Sequence, residues 1–339
     1  MTPPALFSIV INNYNYARYL RIAIESALSQ TLANIEVIVV DDGSTDGSVD
    51  ILREYGDRII PICKTNGGQA SAFNAGFAAS RGELVLFLDS DDLLSPGAFE
   101  RLAAGFSSEA VIKVAAPLFV IDAAGTPNGR MVPKESLPSG NLLAMALLRG
   151  PRSHVTPPTS GNAWRRSYLE SVLPIPEIEF RLCADAYLFT LTPLFGEVRA
   201  LTLPVGGYRV HGDNGWANKR LLIDPESMGK FLDVFEARCR VLERAARPKY
   251  CVSAAAWRYR DFGHVKLALL RWRLFGIALC DAVPLKFIAC SVRGAFEIGD
   301  LARIFKLLFL LISPLCLIRA LAQHTSLKTR SAPGHPAHA

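Results

Sequence analysis

The stretch Leu84-Val85-Leu86-Phe87-Leu88-Asp89-Ser90-Asp91-Asp92 runs five apolar residues straight into three carboxylates, with no Gly or Pro between them. An unbroken apolar run of this length predicts a strand covered on both faces, as in a parallel sheet. Three acids at its end repel one another. A divalent cation relieves that repulsion, because hard ions take carboxylate oxygens and bridge to phosphates. The plainer reading is an acidic turn that caps the next helix.

Upstream the pattern repeats. Phe7 to Ile11 reads as a buried strand ending at Asn12-Asn13-Tyr14-Asn15-Tyr16, and 17–30 has helical spacing, with Leu20, Ile24, Ala27 and Leu28 on one face. A second strand over 35–40 runs into Asp41-Asp42-Gly43-Ser44-Thr45-Asp46-Gly47-Ser48. A helix over 49–55 and a strand over 59–63 follow, then Asn66-Gly67-Gly68-Gln69 and a tightly packed helix through Asn74-Ala75-Gly76. This alternation predicts a parallel sheet with crossover helices, whose polar loops fall at the carboxyl ends of the strands, where open α/β sheets bind ligands. Neither a G-x-G-x-x-G fingerprint nor a P-loop is present, which argues against NAD and against ATP hydrolysis. Taken alone, the Asp41 loop reads equally as turn and cap residues.

These loops, in this order and spacing, resemble glycosyltransferase family 2, the inverting nucleotide-sugar transferases. The matching pieces are Ser8 to Asn15, Val39 to Asp46, Asn66 to Gly76, and Phe87-Leu88-Asp89-Ser90-Asp91-Asp92, which is similar to the family's D-x-D. The resemblance implies an α/β fold of the GT-A kind: Rossmann-like, with a mostly parallel sheet flanked by helices, here with a C-terminal helical extension. It implies that Asn12 and Asp42 contact the nucleotide base, and that Asp89 and Asp91 form the D-x-D, with Asp91 as direct metal ligand. Tyr14, Asn66, Gly68, Asn74 and Ser90 join the donor-binding candidates, and Mn²⁺ or Mg²⁺ is the implied cofactor.

Past Asp92 prolines punctuate the chain, and 111–120 reads as one further strand. Ser153 to Asn162 is a polar, Pro-rich loop. In the resembled family this region underlies the acceptor, so Ser160, Gly161, Asn162 and Trp164 are acceptor candidates, although a Trp here serves a core equally well. Inverting transfer needs one carboxylate to take the acceptor's proton. Asp185, at the start of an apolar helical run, occupies the place of the family's base, with Ala184 where the family often has Glu; Glu177 and Glu179 are the fallbacks. Tyr208-Arg209-Val210-His211-Gly212-Asp213-Asn214 resembles the family's Y-R-x-H-x-x-N segment, which makes Arg209 a diphosphate candidate and His211 a metal candidate.

With 339 residues, half of them hydrophobic, the chain can build a sizeable core. Its formal charge of +6 gathers in the last third, which suits an anionic membrane surface or a phosphate-bearing substrate better than nucleic acid. Seven scattered cysteines without a C-x-x-C pair predict buried free thiols in a reducing compartment. No signal-peptide pattern precedes the first strand, so the expected location is cytoplasmic, peripheral on the inner face of the cell membrane.

The expected domains are a catalytic unit over 1–222, a helical region over 223–322 that meets membrane or a second copy of the chain, and a disordered tail over 323–339. Lys266, Arg271 and Arg273 interleave with apolar and aromatic residues as in an interfacial helix. The apolar run over 304–318, broken by Lys306 and Pro314, is shorter than the roughly 20 residues a span needs. The expectation is a metal-dependent transferase that moves a sugar from a nucleoside-diphosphate donor, UDP-linked, to a glycan or lipid-linked acceptor. Its rivals are a sugar nucleotidyltransferase, which wants a basic Gly-rich loop after the first strand, and a non-catalytic nucleotide-sugar-binding or scaffold protein.

Overall fold

A computed structural model describes residues 7–32, 34–212, 224–277, 284–298 and 300–313, so the tail expected over 323–339 lies outside the described residues. The chain divides into two compact units. One comprises Met1–Leu147, Pro151–His211 and Arg240–Val252, the other Leu148–Gly150, Gly212–Cys239 and Ser253–Ala339.

The first unit opens with the predicted alternation: β1 (Phe7–Asn13), α1 (Ala17–Leu28), β2 (Ile35–Asp41), α2 (Ser48–Tyr55), β3 (Ile60–Cys63), α3 (Gln69–Ala79) and β4 (Leu84–Asp89). β1 lies between β2 and β4, with β3 beyond β2, and all of these pairs are parallel. The apolar runs of β1, β2 and β4 are fully covered, as strands sandwiched between helices must be. α1 buries Leu20, Ala23, Ile24 and Ala27 on the face its spacing predicts. α3 approaches β1 so closely that a Cβ on Gly76 would lie 2.2 Å from Val10 Cγ1, which is why this helix is built from small residues.

The chain continues through β5 (Leu93–Leu94), α4 (Ala98–Ala104), β6 (Val111–Ala115), β7 (Leu118–Ile121), β8 (Pro127–Val132) and α5 (Leu143–Arg149). The single strand expected over 111–120 is therefore two strands in different sheets. Pro117 has no N–H to give a ladder, and the chain leaves the first sheet there. β9 (Asn162–Arg165), α6 (Arg166–Val172), α7 (Ala184–Phe195), β10 (Glu197–Ala200) and β11 (Gly206–Arg209) complete the unit's main elements. The main sheet has the order β10-β6-β9-β4-β1-β2-β3, and a second, smaller sheet runs β5-β11-β7-β8. β9 is antiparallel to both its neighbours, β4 and β6. That insertion carries the turn before it, Thr159–Gly161, to the end of β4, where the acids are.

α8 (Pro225–Ala246) is divided between the units at Arg240, and in the second unit α9 (Ala254–Arg260), α10 (Phe262–Phe275), α11 (Pro284–Glu297) and α12 (Leu301–Ile312) follow it. Leu232, Val265, Ala268, Leu269, Phe287 and Leu307 form its core. Among the described residues no helix is long and apolar enough to cross a membrane. The described cysteines are free, as expected, but only Cys239 is buried; Cys63 and Cys251 are exposed and Cys183 and Cys290 half-buried. Cys63 ends the edge strand β3, whose residues are uncovered, so its apolar neighbours in sequence do not shield it.

Near the starts of β1 and β2 a buried carboxylate, Glu36, ties three segments together. It accepts from Ser8 Oγ at 2.6 Å, from the Arg81 backbone N–H at 2.5 Å and from the Arg81 guanidinium at 3.2 Å. Burial by itself would raise this carboxyl, but these hydrogen bonds overcome it and hold the group below the usual range. The resulting stabilisation is complete above about pH 4.3, the unfolded value, and is lost as pH falls through the depressed folded value. Glu36→Gln should cost about 1–3 kcal/mol at pH 7, and urea unfolding at a series of pH values should show the gap closing in strong acid. An equal gap at pH 7 and pH 2.5 would contradict this.

Candidate functional site

The carboxyl ends of β1, β2 and β4 bring together residues distant in sequence. In register, Asn12 faces Asp89 across one ladder and Asn13 faces Asp41 across the other. The side chains follow: Asn12 Nδ2 donates to Asp89 Oδ1 at 2.9 Å, and Asn13 Nδ2 to Asp41 Oδ1 at 2.8 Å. The first and second loops are then laced together. Asn15, at φ 57°, adopts the left-handed conformation that Asn tolerates; its N–H donates to Ser44 Oγ, and its Oδ1 accepts from Thr45 N. Asp46 accepts from Ala17 N at the start of α1 and from Ser48 at the start of α2, so one carboxylate serves two helix N-termini.

Asp42 is buried. It accepts from Gly67 N at 2.9 Å, Gly68 N at 2.6 Å and Lys64 Nζ at 2.7 Å, and so shapes the glycine loop. Gly68, at φ 88°, lies against Arg181, where a Cβ would come within 2.4 Å of the carbonyl oxygen. Asn66 accepts from the Arg181 guanidinium, and Asn74 clamps the backbone of Ile175. Tyr14 is exposed at the rim of the first loop.

The acids at the end of β4 are the electrostatic centre. Burial and the charges of Asp91 and Asp185 push the Asp89 carboxyl up to about 7, against hydrogen bonds from Asn12 and Thr159. Asp92 lies well above its ordinary value because it is buried beside Asp91 and Asp89. It accepts from Ser160 Oγ at 2.7 Å and from Arg209 N at 2.9 Å. The Tyr208 phenol on β11 is raised by burial and then by Asp92, Asp89, Asp91 and Asp185, so four carboxylates converge on one place.

Asp91 meets His211, with Nε2 3.1 Å from Oδ2, and Tyr16 and Tyr19 flank the imidazole ring at 5.4 and 5.0 Å. The guanidinium of Arg209 is wholly buried. It donates to the backbone oxygens of Asp91, Asp122 and Ala123 and lies over the Tyr19 ring, which fixes the acidic turn from below. Ser90 is buried, with its N–H directed to Asn12 O.

Asp185 stands half-buried in the first turn of α7, where the helix dipole favours an anion. Thr159 Oγ1 approaches one of its oxygens and Cys183 Sγ the other, each at 3.4 Å. Gln69 joins the two acidic positions: its Nε2 donates to Asp89 Oδ1 at 3.1 Å, and its Oε1 accepts from Ala184 N at 2.9 Å.

Of the residues expected to meet an acceptor, Ser160 lies beneath the acids. Gly161 packs against Ala116 O, and Asn162 is buried with its amide on Pro158 and Thr159 carbonyls. Trp164 is a core residue, stacked near Tyr168 and Phe189. The exposed fallback Glu177 is engaged by Asn74. Sequence reasoning passed over Gln69, Thr159 and Asp92 as working parts. All three are next to quoted candidates, but only the inserted antiparallel strand brings the Thr159 turn to the acids.

Among the described residues no three His, Cys, Asp or Glu side chains stand as a complete metal-ligand set. Asp91 and His211 make a pair of oxygen and nitrogen donors beside an excess of buried negative charge, which suits a divalent ion that takes its other ligands from a bound diphosphate or water.

Because Ser160 supports both Asp92 Oδ2 and the Asp89 N–H, Ser160→Ala should destabilise the protein by about 1–3 kcal/mol in urea unfolding. A change under about 0.5 kcal/mol would mean that the buried acid finds another donor.

Residues 8–172 match the sequence model of Glycosyl transferase family 2. An uncharacterized glycosyltransferase of Nostoc sp. is 41% identical over 214 residues, which is 61% of this chain and 65% of that protein. The chain spans less than two thirds of the length of the first curated relatives it matches. The crystal structure of S. aureus TarS shares the fold with a TM-score of 0.56 at 20% identity, covering 89% of this chain and 54% of that one. TarS 1–349 in complex with UDP-GlcNAc aligns with a TM-score of 0.51 at 17% identity, covering 96% and 92%. The acid-ended strand and the loops around it all lie within residues 8–172, the stretch that matches glycosyltransferase family 2.

Proposed function

We propose that this protein is a divalent-metal-dependent inverting glycosyltransferase. It takes a sugar from a UDP-sugar and transfers it to a hydroxyl of a glycan or lipid-linked acceptor. One observation carries the reading: the β4 acids with His211 face a separate carboxylate, Asp185, at a helix start, and Gln69 spans the two. A donor diphosphate and an attacking hydroxyl need two such stations, one for cation and leaving group, one for the proton.

In this reading Asp185 accepts the acceptor's proton as its oxygen bonds to the anomeric carbon, and the bond from that carbon to the diphosphate breaks. Asp91 and His211, with Asp89 beside them, hold Mn²⁺ or Mg²⁺, which when bound offsets charge on the leaving diphosphate. Asn12, Asp42 and the Asn66-Gly67-Gly68 loop, with Tyr14 at the rim, form the nucleotide side. Ser90, Asn74 and Arg209 support it from beneath or from its edge, and Ser160, Gly161 and Asn162 underlie the acceptor side, with Trp164 in the core below them. The choice of UDP follows the TarS complex, whose fold this chain shares.

The place of action is the inner face of a cell membrane. On α12, Phe305, Leu308, Phe309 and Ile312 recur at helical spacing and are exposed, with Arg303 and Lys306 on the same helix. A second copy of the chain is the alternative cover for that face.

Calorimetric titration with UDP and with GDP, each with Mn²⁺ and with EDTA, should show metal-dependent UDP binding that Asp91→Ala abolishes. Binding of neither nucleotide in the presence of metal would favour the scaffold reading. Asp185→Asn should lower transfer or donor hydrolysis by about 10²–10⁴-fold while leaving UDP affinity within a few-fold. Full turnover by that variant would remove Asp185 from the role of base.

A further inference from the structure

At the centre of β6, in Val111-Ile112-Lys113-Val114-Ala115, one lysine sits among apolar residues and is as buried as they are. Its ammonium does not reach water. It lies 4.1 Å from the ring centre of Phe189 on α7 and 5.0 Å from that of Trp164 on the neighbouring strand β9. Phe189 is four residues on from Asp185 in the same helix, so the two share the α7 face that looks onto Lys113. Nothing in the packing of this sheet requires a cation. A methionine would fill the same slot, and a buried ammonium is costly unless a charge or π face compensates it.

We infer that Lys113 is a positioning residue for Asp185: a cation, held under the α7 helix by the Trp164 and Phe189 rings, that fixes the charge and placement of the catalytic carboxylate from behind. The inference rests on the reading of Asp185 as base. Asp89 and Tyr208 also feel the Asp185 charge, and Cys183 touches the carboxylate directly. Negative charge on Asp185 and Asp89 is mutually unfavourable, which gives a cation near Asp185 a specific task. Burial draws the Lys113 ammonium down to about 7, and Asp185 is the charge that works against it. Coupling of this kind is reciprocal, so whatever Asp185 does to the lysine, the lysine does to Asp185.

The test reads Lys113 directly, in the full-length protein labelled with ¹³Cε-lysine, with Lys113→Met assigning the signal. In wild type the Lys113 signal should titrate near neutrality, and in Asp185→Asn it should titrate about one pH unit lower, since the ammonium has lost its counter-charge. Identical titration in the two proteins overturns the inference. Lys113→Met should fold, because an apolar isostere suits the site. With UDP-GlcNAc as donor and water as acceptor, where the water proton passes to Asp185 and UDP leaves, its kcat should fall about tenfold while the donor KM stays within twofold; an unchanged kcat also overturns the inference. If Asp185→Asn keeps full turnover while the Lys113 titration still shifts, the base assignment fails and the coupling stands.

Discussion

Like charges at the end of a buried strand are the constraint around which the first unit is built. β4 brings Asp89, and the turn after it Asp91 and Asp92, to the carboxyl end of the sheet, where burial strengthens their repulsion. Nearly every neighbouring element contributes something against it. β1 supplies the Asn12 amide, α3 the Gln69 amide and the turn before β9 the Ser160 hydroxyl. β11 supplies the Arg209 backbone N–H, and the residue two beyond it is His211. The cation of the proposed function would find its attraction in the negative charge that remains. Full compensation by fixed side chains would leave the ligands little to gain.

The division of labour among the polar residues also follows from physics. Those most deeply buried, such as Asp42, Arg209, Ser160 and Asn162, spend their hydrogen bonds on backbone groups and neighbouring acids. They hold loops in place, because an unmatched polar atom in the interior is costly. Asp185 and Asp91 keep partial exposure, as the roles proposed for them require. Lys113 marks the extreme case, an amine placed beneath the sheet surface with aromatic faces around it, where burial weakens its hold on a proton.

The helical second unit has a different logic. Its core is closed by Leu232, Val265, Leu269 and Phe287, while α12 turns large apolar side chains outward. An apolar face of that kind is the surface that lipid or a second copy of the chain would cover in the proposed function.

Local pattern alone determined the elements from β1 to β4, their parallel direction and the acidic loops at their carboxyl ends. Buried parallel strands must be continuously apolar and helices must show a 3.6-residue period, so both are legible residue by residue. Asn12, Asp89, Asp91, Asp185 and His211 were legible as polar residues at strand ends and a helix start that match a family pattern. What the tertiary structure alone decided was which of them meet. The split at Pro117, the antiparallel insertion of β9, the bridge through Gln69 and the burial of Trp164 and Lys113 depend on contacts between residues far apart in the chain. No local period encodes such contacts, because the sheet order that creates them is chosen by packing of the whole unit.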